Sequence, residues 1–556
     1  MKKTKIFALL CFAALITACS LDERSDSWST RNGYYRNVQQ IKSGLNGCYG
    51  PIRNIVNLQF FEMTECSSDL MTLNTSMAYD AICNVSPDRP SAGTNIWRYG
   101  YSGVMLCNEM LDVIDGAVKN AYISEADALP LRAEGAILRA LYYYFLTNTF
   151  GDVPFYTCAV TEENRADIAR LPRMSADQTR DALIDELMSY LLPADKGGRN
   201  ALPLVPSYQS GTDYRIGAMT GLMLAGKFCL WNHRWSDAVT VLSQIEKAYG
   251  SLAQYPLTDI PFGRKYTPES IFEIGNESQE YGIQMAGRIA YACTPTRSSV
   301  TVKEGEGESS TNEVTDVYKG IAIPELGAYA YTAFGIRPTE WFYLNVLPYS
   351  GPDLRSGEYS DGKTVARGGS GNLAWRYKGY DPKDLKRQTP IVSFFTGVTS
   401  GTAQPWLGNK FWCFGMYYNN DSNNYKIFRY AGALLNLAEA WLMQGNFDKA
   451  CTYLNYTRTR AGLSAVSAAE FGGSEAALME EIRLECAREL FGEFQRKFDL
   501  VRWGIWYERT LANSPENGYL RQYIKPCHRF WPIPADQVSY SGNALDNNEY
   551  AIYYEK

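Results

Sequence analysis

Histidine, a side chain that often performs catalysis or ligates metals, is sparse in this sequence. The chain contains only two histidines, His233 and His528, and neither an HExxH zinc motif nor a GxSxG nucleophile motif. Histidine supplies the general base of many catalytic sites and is a frequent metal ligand. The sequence therefore favours neither a histidine-based triad nor a histidine-rich metal site, and it predicts no cofactor.

Three glutamates repeat at every fourth residue, a spacing that aligns carboxylates along one face of a helix: Glu485, Glu489 and Glu493. Carboxylate metal sites in helical bundles also use a Glu-x-x-His motif, which this chain lacks. We therefore interpret the three glutamates as ion-pair partners and predict no metal. Carboxylates are abundant elsewhere, so the acid/base pair of a glycosidase stays open, although no two of them stand out.

These glutamates belong to a segment, 482–504, that we predict to be one continuous helix. Apolar residues recur there at steps of three or four, the period of an amphipathic helix: Leu478, Ile482, Cys486, Leu490, Phe494, Phe498 and Val501. The opposite face is charged and allows ion pairs at helical spacing: Glu493 with Arg496 and Lys497, and Asp499 with Arg496 and Arg502. We expect the aromatic, proline-locked residues 528–534 to pack over this helix.

Ligand binding is the chemistry that the composition favours. The chain has 40 Tyr, 23 Phe and 12 Trp residues, and aromatic rings match the flat apolar faces of sugars while polar neighbours bond the hydroxyl groups. The candidate ligand-binding rings lie in predicted loops: Tyr79, Trp97, Tyr281, Tyr291, Tyr331, Phe334 and Trp375. Trp97 is the strongest candidate because it follows a predicted helix start. We expect its ring at the surface, with Asn95 and Arg98 supplying hydrogen bonds; for each ring taken alone, packing within the fold is the alternative.

The N-terminus predicts export and a lipid anchor. Three lysines within the first five residues precede an apolar run, 6–16, that is too short to span a bilayer. The following Ile-Thr-Ala-Cys resembles the lipobox of bacterial lipoproteins, with Cys19 as the acylated residue and 1–18 as the signal peptide. The acidic residues after Cys19 resemble a surface-export signal. Ordinary secretion without a lipid is the alternative.

Charge and cysteine usage argue against further classes of protein and of site. The 54 basic and 60 acidic residues are interspersed, with a net charge of −6, so the sequence lacks the basic footprint of a nucleic-acid-binding protein. No CxxC pair occurs, and Cys107, Cys229, Cys451 and Cys486 lie on apolar helical stripes. We predict buried free thiols rather than a disulfide framework or a zinc site.

The first half of the mature chain is helical in pattern, with predicted helices at 38–49, 97–114, 131–149 and 175–192. Two later segments align with each other at a constant offset: Leu222, Gly226, Cys229, Trp235, Ala238 and Leu242 with Leu434, Ala438, Trp441, Phe447, Ala450 and Leu454. In each segment a small residue on one helix faces a small residue on the next, as in tetratricopeptide-like hairpins. The sequence therefore predicts a mainly α fold built on such hairpins.

The region between the two hairpins has a different texture. Residues 255–424 are rich in Gly, Pro, Ser and aromatic residues and poor in helical periodicity. We predict a loop-rich insertion in a helical frame, and loops on a rigid frame are where binding residues concentrate. The predicted regions are therefore a helical part, 19–254, a ligand-binding insertion, 255–424, and a C-terminal helical part, 425–556.

Four separated parts of the chain carry motifs that occur together in one family. They are RELFGEFQRKFDLVRWG (488–504) with FWPIP (530–534), FGDVP (150–154), the run 429–440 with Asn455, Arg458, Arg460 and Ala461, and Asp353-Leu-Arg355. In this combination and order they resemble the SusD/RagB family of outer-membrane nutrient-binding lipoproteins. In the last motif, Leu354 stands where the family has proline.

The resemblance implies a SusD-like fold with four tetratricopeptide-like units and an irregular ligand-binding part. It implies a surface-exposed, lipid-anchored protein of the outer membrane that is not an enzyme. Such proteins capture nutrient glycans and deliver them to a SusC-like TonB-dependent transporter, over which they act as a lid. Some family members capture oligopeptides instead, so that ligand stays open. A glycoside hydrolase and a tetratricopeptide scaffold that binds only proteins are the alternatives from other classes.

Overall fold

Helices make up most of the chain in the computed structural model, in agreement with the mainly α prediction. The structure describes residues 31–73, 84–89, 93–208, 214–277, 286–293, 336–347, 352–360, 363–366, 374–377, 406–413, 420–514 and 518–554. The helices are α1 (Arg31–Tyr34), α2 (Val38–Gly47), α3 (Gly50–Ile55), α4 (Leu58–Phe61), α5 (Gly93–Lys119), α6 (Glu125–Phe150), α7 (Arg165–Ile168), α8 (Ala176–Leu191), α9 (Ala218–Trp231), α10 (Trp235–Tyr249), α11 (Ile289–Cys293), α12 (Tyr430–Leu442), α13 (Phe447–Arg460), α14 (Glu475–Glu489), α15 (Arg496–Arg502), α16 (Trp506–Asn513), α17 (Gly518–Tyr523), α18 (Ala535–Tyr540) and α19 (Asn548–Tyr554).

The strands are short and form three small sheets. They are β1 (Met71–Thr72), β2 (Ser270–Ile274), β3 (Arg337–Pro338), β4 (Ser356–Ser360), β5 (Lys363–Ala366), β6 (Ala374–Tyr377), β7 (Trp406–Leu407) and β8 (Tyr425–Arg429). β1 pairs with β3, β2 pairs with β8, and the third sheet has the order β5-β4-β6-β7. Because β2 and β8 are antiparallel, they hold the start and the end of the predicted insertion side by side on the helical frame.

The predicted N-terminal helices are confirmed: α5 and α6 are longer than predicted, whereas α2 and α8 are slightly shorter. α5 and α6 form an antiparallel pair, and Ser124 caps α6 by accepting a hydrogen bond from the Asp127 N–H. α6 is buried along nearly its whole length, including the ring of Tyr142. Gly103 of α5 lies directly against that ring, where a larger side chain would not fit. The frame therefore centres on α6, which explains its apolar and aromatic composition.

The repeat alignment is also confirmed. α9 with α10 and α12 with α13 are helical hairpins, and α10 packs against α12 although about 180 residues separate the two hairpins in sequence. A Cβ atom added at Gly226 would lie 2.5 Å from the Leu242 side chain. Ala438 and Ala450 are fully buried in one apolar cluster. Small residues thus allow the helices of each hairpin to approach closely.

Replacing Ala450 with tryptophan should destabilise the second hairpin. The site is fully buried against Ala438 and Leu454, so the indole has no space, and overpacking of this kind costs about 1–3 kcal/mol or more. Thermal unfolding monitored by circular dichroism measures the loss. The same substitution at the exposed Ala476 of α14 is the matched control. Equal melting temperatures for the two variants would contradict the close packing.

The prediction of one continuous helix over 482–504 is wrong. α14 ends at Glu489 and α15 begins at Arg496, with a turn between them in which Gly492 and Phe494 have positive φ angles of 76° and 63°. Glu65, which is far away in sequence, accepts hydrogen bonds from the N–H groups of Gly492, Gln495 and Arg496 at 3.2, 2.9 and 3.3 Å. These hydrogen bonds stabilise the turn between the two helices. Tertiary hydrogen bonds therefore override a pattern that runs on through the turn.

The C-terminal tail packs partly where the sequence predicted. The Trp531 ring lies 5.8 Å from the Lys497 ammonium of α15, as expected for an aromatic segment over the charged helix. The segment also contacts α6, because the backbone N–H of Trp531 donates to the Thr149 carbonyl oxygen at 2.7 Å. The tail thus ties the C-terminus to the central helix. Among the described residues, no helix is both long enough and apolar enough to cross a membrane.

Candidate functional site

The three glutamates of the sequence pattern form a buried ion-pair cluster. Arg355 contacts Asp353, Glu485 and Glu489 at 2.8, 2.8 and 2.9 Å, and all four side chains are almost fully buried. Glu493 contacts Lys410 at 2.6 Å and Arg429 at 2.9 Å, also without solvent. The ion-pair interpretation of the glutamates is therefore confirmed.

The partners within this charged segment differ in part from those predicted. Asp499 pairs with Arg502 at 3.1 Å, as expected. Glu493 does not pair with Arg496 or Lys497, because the turn between α14 and α15 redirects it toward Lys410 and Arg429. Arg496 instead contacts Asp69 at 2.7 Å.

The charges in the cluster compensate one another. Burial alone would raise the pKa of Glu485, but the guanidinium groups of Arg355 and Arg488 lower it below its ordinary value. Burial also opposes ionisation of Glu493, and the charges of Arg429 and Lys410 lower its pKa. These carboxylates are ionised, paired and shielded from solvent, so the cluster joins the insertion to α14 and offers no open position to a ligand. In the described part of the chain, no group of three or more His, Cys, Asp or Glu residues could hold a metal ion.

The histidines and cysteines are structural. Burial lowers the pKa of His528 to about 3, and its Nε2 atom lies 2.7 Å from the Tyr554 hydroxyl. His233 lies in the turn between α9 and α10, stacked on Trp235 at 5.1 Å. Nine of the ten cysteines in the described part of the chain are buried thiols without a disulfide, as predicted, and Cys158 is exposed.

The predicted exposure of Trp97 is wrong. Its side chain is 5% exposed, because its ring packs against Tyr101 at 4.9 Å and, edge to face, against Phe150 at 5.1 Å. The helix start is correct, since α5 begins at Gly93. Asn95 and Arg98, in the first turns of the same helix, are exposed, and their hydrogen bonds to a ligand stay a prediction.

The other predicted rings are dispersed or lie outside the described residues. Tyr291 is half-buried in α11, with the Arg288 guanidinium 5.8 Å from its ring. Trp375 lies in β6, in register with Trp406 of β7. The predicted rings that lie outside the described residues are Tyr79, Tyr281, Tyr331 and Phe334. Among the described candidates, Trp97 and Arg98 are the two that line one cavity.

That cavity has a volume of about 550 Å³ and lies between the first turns of α5, the segment after α6 and the tail around α18. Its rings are those of Trp97, Tyr101, Tyr156 and Tyr540, and its polar side chains are those of Thr94, Arg98, Asp536, Gln537 and Ser541. We call it the α5 cavity. Its volume is in the range of small-molecule sites, and aromatic walls with a few polar groups are typical of them.

The walls of the α5 cavity are held in place by tertiary contacts. The Tyr101 hydroxyl donates to the Pro154 carbonyl oxygen at 2.8 Å, and its ring is parallel to that of Tyr156 with 6.3 Å between centroids. Burial raises the pKa of Tyr156 to about 12, so its phenol is protonated at neutral pH and can donate a hydrogen bond. Tyr540, at the rim, is 77% exposed. The cavity thus combines fixed rings with one solvent-exposed ring.

Sequence reasoning missed most of this lining. Tyr156 lies in the segment after α6, and the α18 residues Asp536, Gln537 and Tyr540 are brought to Arg98 only by the packing of the tail on α6. The FGDVP and FWPIP motifs end beside these residues, and they were the available signal.

One further sequence motif lacks the structural context that its chemistry needs. Residues 357–364, GEYSDGKT, fit the phosphate-binding pattern GxxxxGK[ST]. In a phosphate loop this pattern joins a strand to a helix, whose N-terminal N–H groups bind the phosphates. Here Lys363 and Thr364 begin β5, which pairs antiparallel with β4. The match therefore lacks the helix that the chemistry needs, and it predicts no nucleotide site.

Known relatives resemble this chain over nearly its whole length. SusD-like proteins P25 and P2 from Formosa agariphila are 21% and 22% identical to it, over 98% and 99% of both chains. Three solved structures share the fold. Surface glycan-binding protein A from Bacteroides uniformis has a TM-score of 0.63 and 21% identity, over 92% of this chain and 99% of that one. A SusD homolog from Bacteroides thetaiotaomicron has a TM-score of 0.69 and 18% identity, over 92% of this chain and 97% of that one. Surface glycan-binding protein A from Bacteroides thetaiotaomicron, solved in complex with laminarihexaose, has a TM-score of 0.63 and 18% identity, over 92% of this chain and 99% of that one.

Two family models match separate parts of the chain. The model described as "SusD family" matches residues 408–554, and the model described as "Starch-binding associating with outer membrane" matches residues 20–195. The first match contains the buried glutamates and the tail, and the second contains α5 and α6. The two models describe one family and together match more than half of the chain, and on this basis the protein belongs to the SusD family.

Proposed function

We propose that this protein binds nutrient glycans, as oligosaccharides or polysaccharides, at the outer membrane and delivers them to a SusC-like TonB-dependent transporter. The observation that carries the proposal is membership of the SusD family along both halves of the chain. A relative with the same fold, Surface glycan-binding protein A from Bacteroides thetaiotaomicron, was solved in complex with laminarihexaose. The glycan is therefore the first ligand class to test.

The α5 cavity is the proposed binding site in the described part of the chain. Trp97 and Tyr101 form its fixed inner wall, and Tyr540 supplies an exposed ring on which a sugar face can stack. Arg98 and Gln537 can bond sugar hydroxyl groups, with Asn95 exposed near the cavity. In this arrangement Trp97 shapes the wall, whereas Tyr540 and Arg98 contact the ligand. The rings Tyr79, Tyr281, Tyr291, Tyr331, Phe334 and Trp375 remain proposed contacts elsewhere.

We propose that the protein binds without turnover. The glutamates of the charged segment form buried ion pairs, which supports a structural role for them rather than service as an acid/base pair. Incubation with a bound polysaccharide should therefore release no reducing sugar. Product release would instead favour a glycoside hydrolase.

A glycan array followed by titration calorimetry tests the ligand and the site. Arg98→Ala and Tyr540→Ala should each weaken binding of the best arrayed glycan about tenfold, the effect typical of losing a ring or a central hydrogen-bonding group. Tyr456→Ala, which removes a 37% exposed ring outside the cavity, is the matched control. Wild-type affinity in both cavity variants would move the site elsewhere. Oligopeptide binding with no glycan binding would favour the peptide-capturing alternative.

We also propose a lipid anchor at Cys19. Cys19→Ala should prevent acylation and release the protein from the outer membrane, because none of the described helices can cross the membrane in place of the lipid. Membrane fractionation and mass spectrometry of the N-terminal peptide measure the two effects. Ser20→Ala, which leaves the acylated residue in place, is the control. A Cys19→Ala protein that still sediments with the membrane would mean either that the anchor assignment is wrong or that the transporter contact alone retains the protein.

A further inference from the structure

A second aromatic surface lies away from the α5 cavity. The rings of Tyr208, Tyr214 and Tyr266 pack together, with centroid distances of 5.1 Å between Tyr208 and Tyr266 and 4.5 Å between Tyr214 and Tyr266. Tyr214 is nevertheless 54% exposed. We call this group the tyrosine platform. It shares no lining residue with the α5 cavity.

The platform is rigid at its base. The Glu273 N–H of β2 donates to the Tyr208 hydroxyl at 3.0 Å, and the Tyr266 N–H donates to the Glu273 carboxylate at 2.8 Å. Tyr208 and Tyr266 also have positive φ angles, 60° and 49°, which are rare for bulky residues. Backbone conformations of this kind cost free energy and are often retained where they position side chains for a function.

Hydrogen-bonding groups surround the exposed ring. Tyr214 and Arg215 line a cavity of about 290 Å³ with Asn46 and Tyr49, and Arg215 also lines a second cavity of about 390 Å³ that reaches Tyr208. The platform therefore borders open, largely apolar space on the side of α2 and α6, with the polar groups of Asn46 and Arg215 at its edge.

The charge next to the platform is already compensated. Arg215 contacts both carboxylate oxygens of Glu134, at 2.6 and 3.0 Å, and donates to the Asn46 side-chain oxygen at 2.5 Å. A carboxylated or sulfated sugar would have to compete with Glu134 for this guanidinium. The surroundings thus favour an uncharged ligand with many hydroxyl groups and flat apolar faces.

We propose that the tyrosine platform is a second saccharide-binding site, which takes a neutral glucan by stacking a glucose face on Tyr214. The inference rests on the proposed glycan-binding function and extends it to a separate surface. Two weak sites on one chain retain a long polymer more strongly than either site alone, because the second contact is intramolecular. Short oligosaccharides bind each site independently, so the gain is specific to polymers.

Affinity gel electrophoresis of the full-length protein in laminarin and in amylopectin tests the platform. Tyr214→Ala should reduce retention by the polysaccharide that retains the wild type at least threefold, with an unchanged melting temperature. Tyr214→Phe keeps the ring and should behave like the wild type. Tyr122→Ala, which removes a 41% exposed ring elsewhere, is the control and should also be retained normally.

Two further measurements make the outcome independent of one variant. Titration with laminarihexaose or maltoheptaose should give two sites for the wild type and one for Tyr214→Ala. Laminarin or amylopectin should also protect Tyr214 of the wild type from iodination, as read by mass spectrometry.

The possible failures separate the two proposals. Equal retention of wild type and Tyr214→Ala, together with no protection of Tyr214, overturns the platform and leaves the proposed function intact. A wild type that neither polysaccharide retains, with no protection, overturns the platform and glucan binding together. Loss of retention in Tyr122→Ala as well would show that the gel reports general surface effects, and it would also count against the platform.

Discussion

Replacing Arg355 with methionine should lower the free energy of unfolding by about 3–5 kcal/mol, the range found when one partner of a buried ion pair is removed. The guanidinium contacts Asp353, Glu485 and Glu489, and all four side chains are almost fully buried. Methionine fills similar space but leaves three carboxylates without one of their cations. Urea-induced unfolding followed by circular dichroism measures the change.

Arg132→Met is the matched control for this prediction. Arg132 also contacts two carboxylates, Asp115 at 2.7 Å and Glu125 at 2.5 Å, but both of these are largely exposed. Solvent screens such pairs, so the expected loss is below about 1 kcal/mol. Similar losses for the two variants would mean that burial does not strengthen the Arg355 contacts.

The effect of Arg355→Met should depend on pH. Nearby cations lower the pKa of Glu485 in the folded state, whereas the unfolded chain has the ordinary value of about 4.3. The folded state therefore gains stability above that value and loses it as the pH falls through the lowered pKa. The difference between wild type and variant should shrink as the pH falls below about 4. A difference that grows in acid would contradict the assigned pairing.

Replacing Trp97 with alanine should destabilise the fold by about 3–5 kcal/mol, the usual cost of deleting a buried tryptophan side chain. The ring is 5% exposed and fills the space between Tyr101 and Phe150. Its removal leaves a cavity under the first turns of α5 that rigid neighbours cannot close. Thermal unfolding measures the loss, and any loss of glycan binding in this variant follows from the damaged wall.

Tyr540→Ala is the control for Trp97→Ala, because both rings line the α5 cavity and Tyr540 is 77% exposed. The free energy of unfolding of this variant should stay within about 1 kcal/mol of the wild-type value. Trp97→Phe should recover part of the loss, since a smaller aromatic ring still occupies the site. A Trp97→Ala protein with wild-type stability would restore the exposed stacking role that the sequence predicted.

The helical frame was predictable because its information is local. Periodicity located the helices over 38–49 and 97–114, and small residues at Gly226 and Ala438 marked where hairpins pack closely. Apolar spacing and helix caps depend on neighbours within one or two turns, which the sequence displays directly. The lipid anchor at Cys19 is equally local in signal and stays a prediction.

The break at 490–495 and the α5 cavity were not predictable in this way. The apolar stripe continues through Leu490 and Phe494, yet Glu65 supplies the hydrogen bonds that open the turn. A local pattern cannot reveal a partner more than 400 residues away in sequence.

By itself, the sequence determined the helical class, the tetratricopeptide-like hairpins and the family resemblance. Each of these depends on residue types and their spacing within short segments of the chain. Only the tertiary structure decided which side of Trp97 is covered and which rings meet Arg98. The packing of the tail on α6 brings Tyr540 to α5, and that contact joins segments from opposite ends of the chain. The solvent exposure of a ring depends on every element that packs around it. Residue type and spacing could therefore identify Trp97 as a candidate but could not predict whether its ring is exposed.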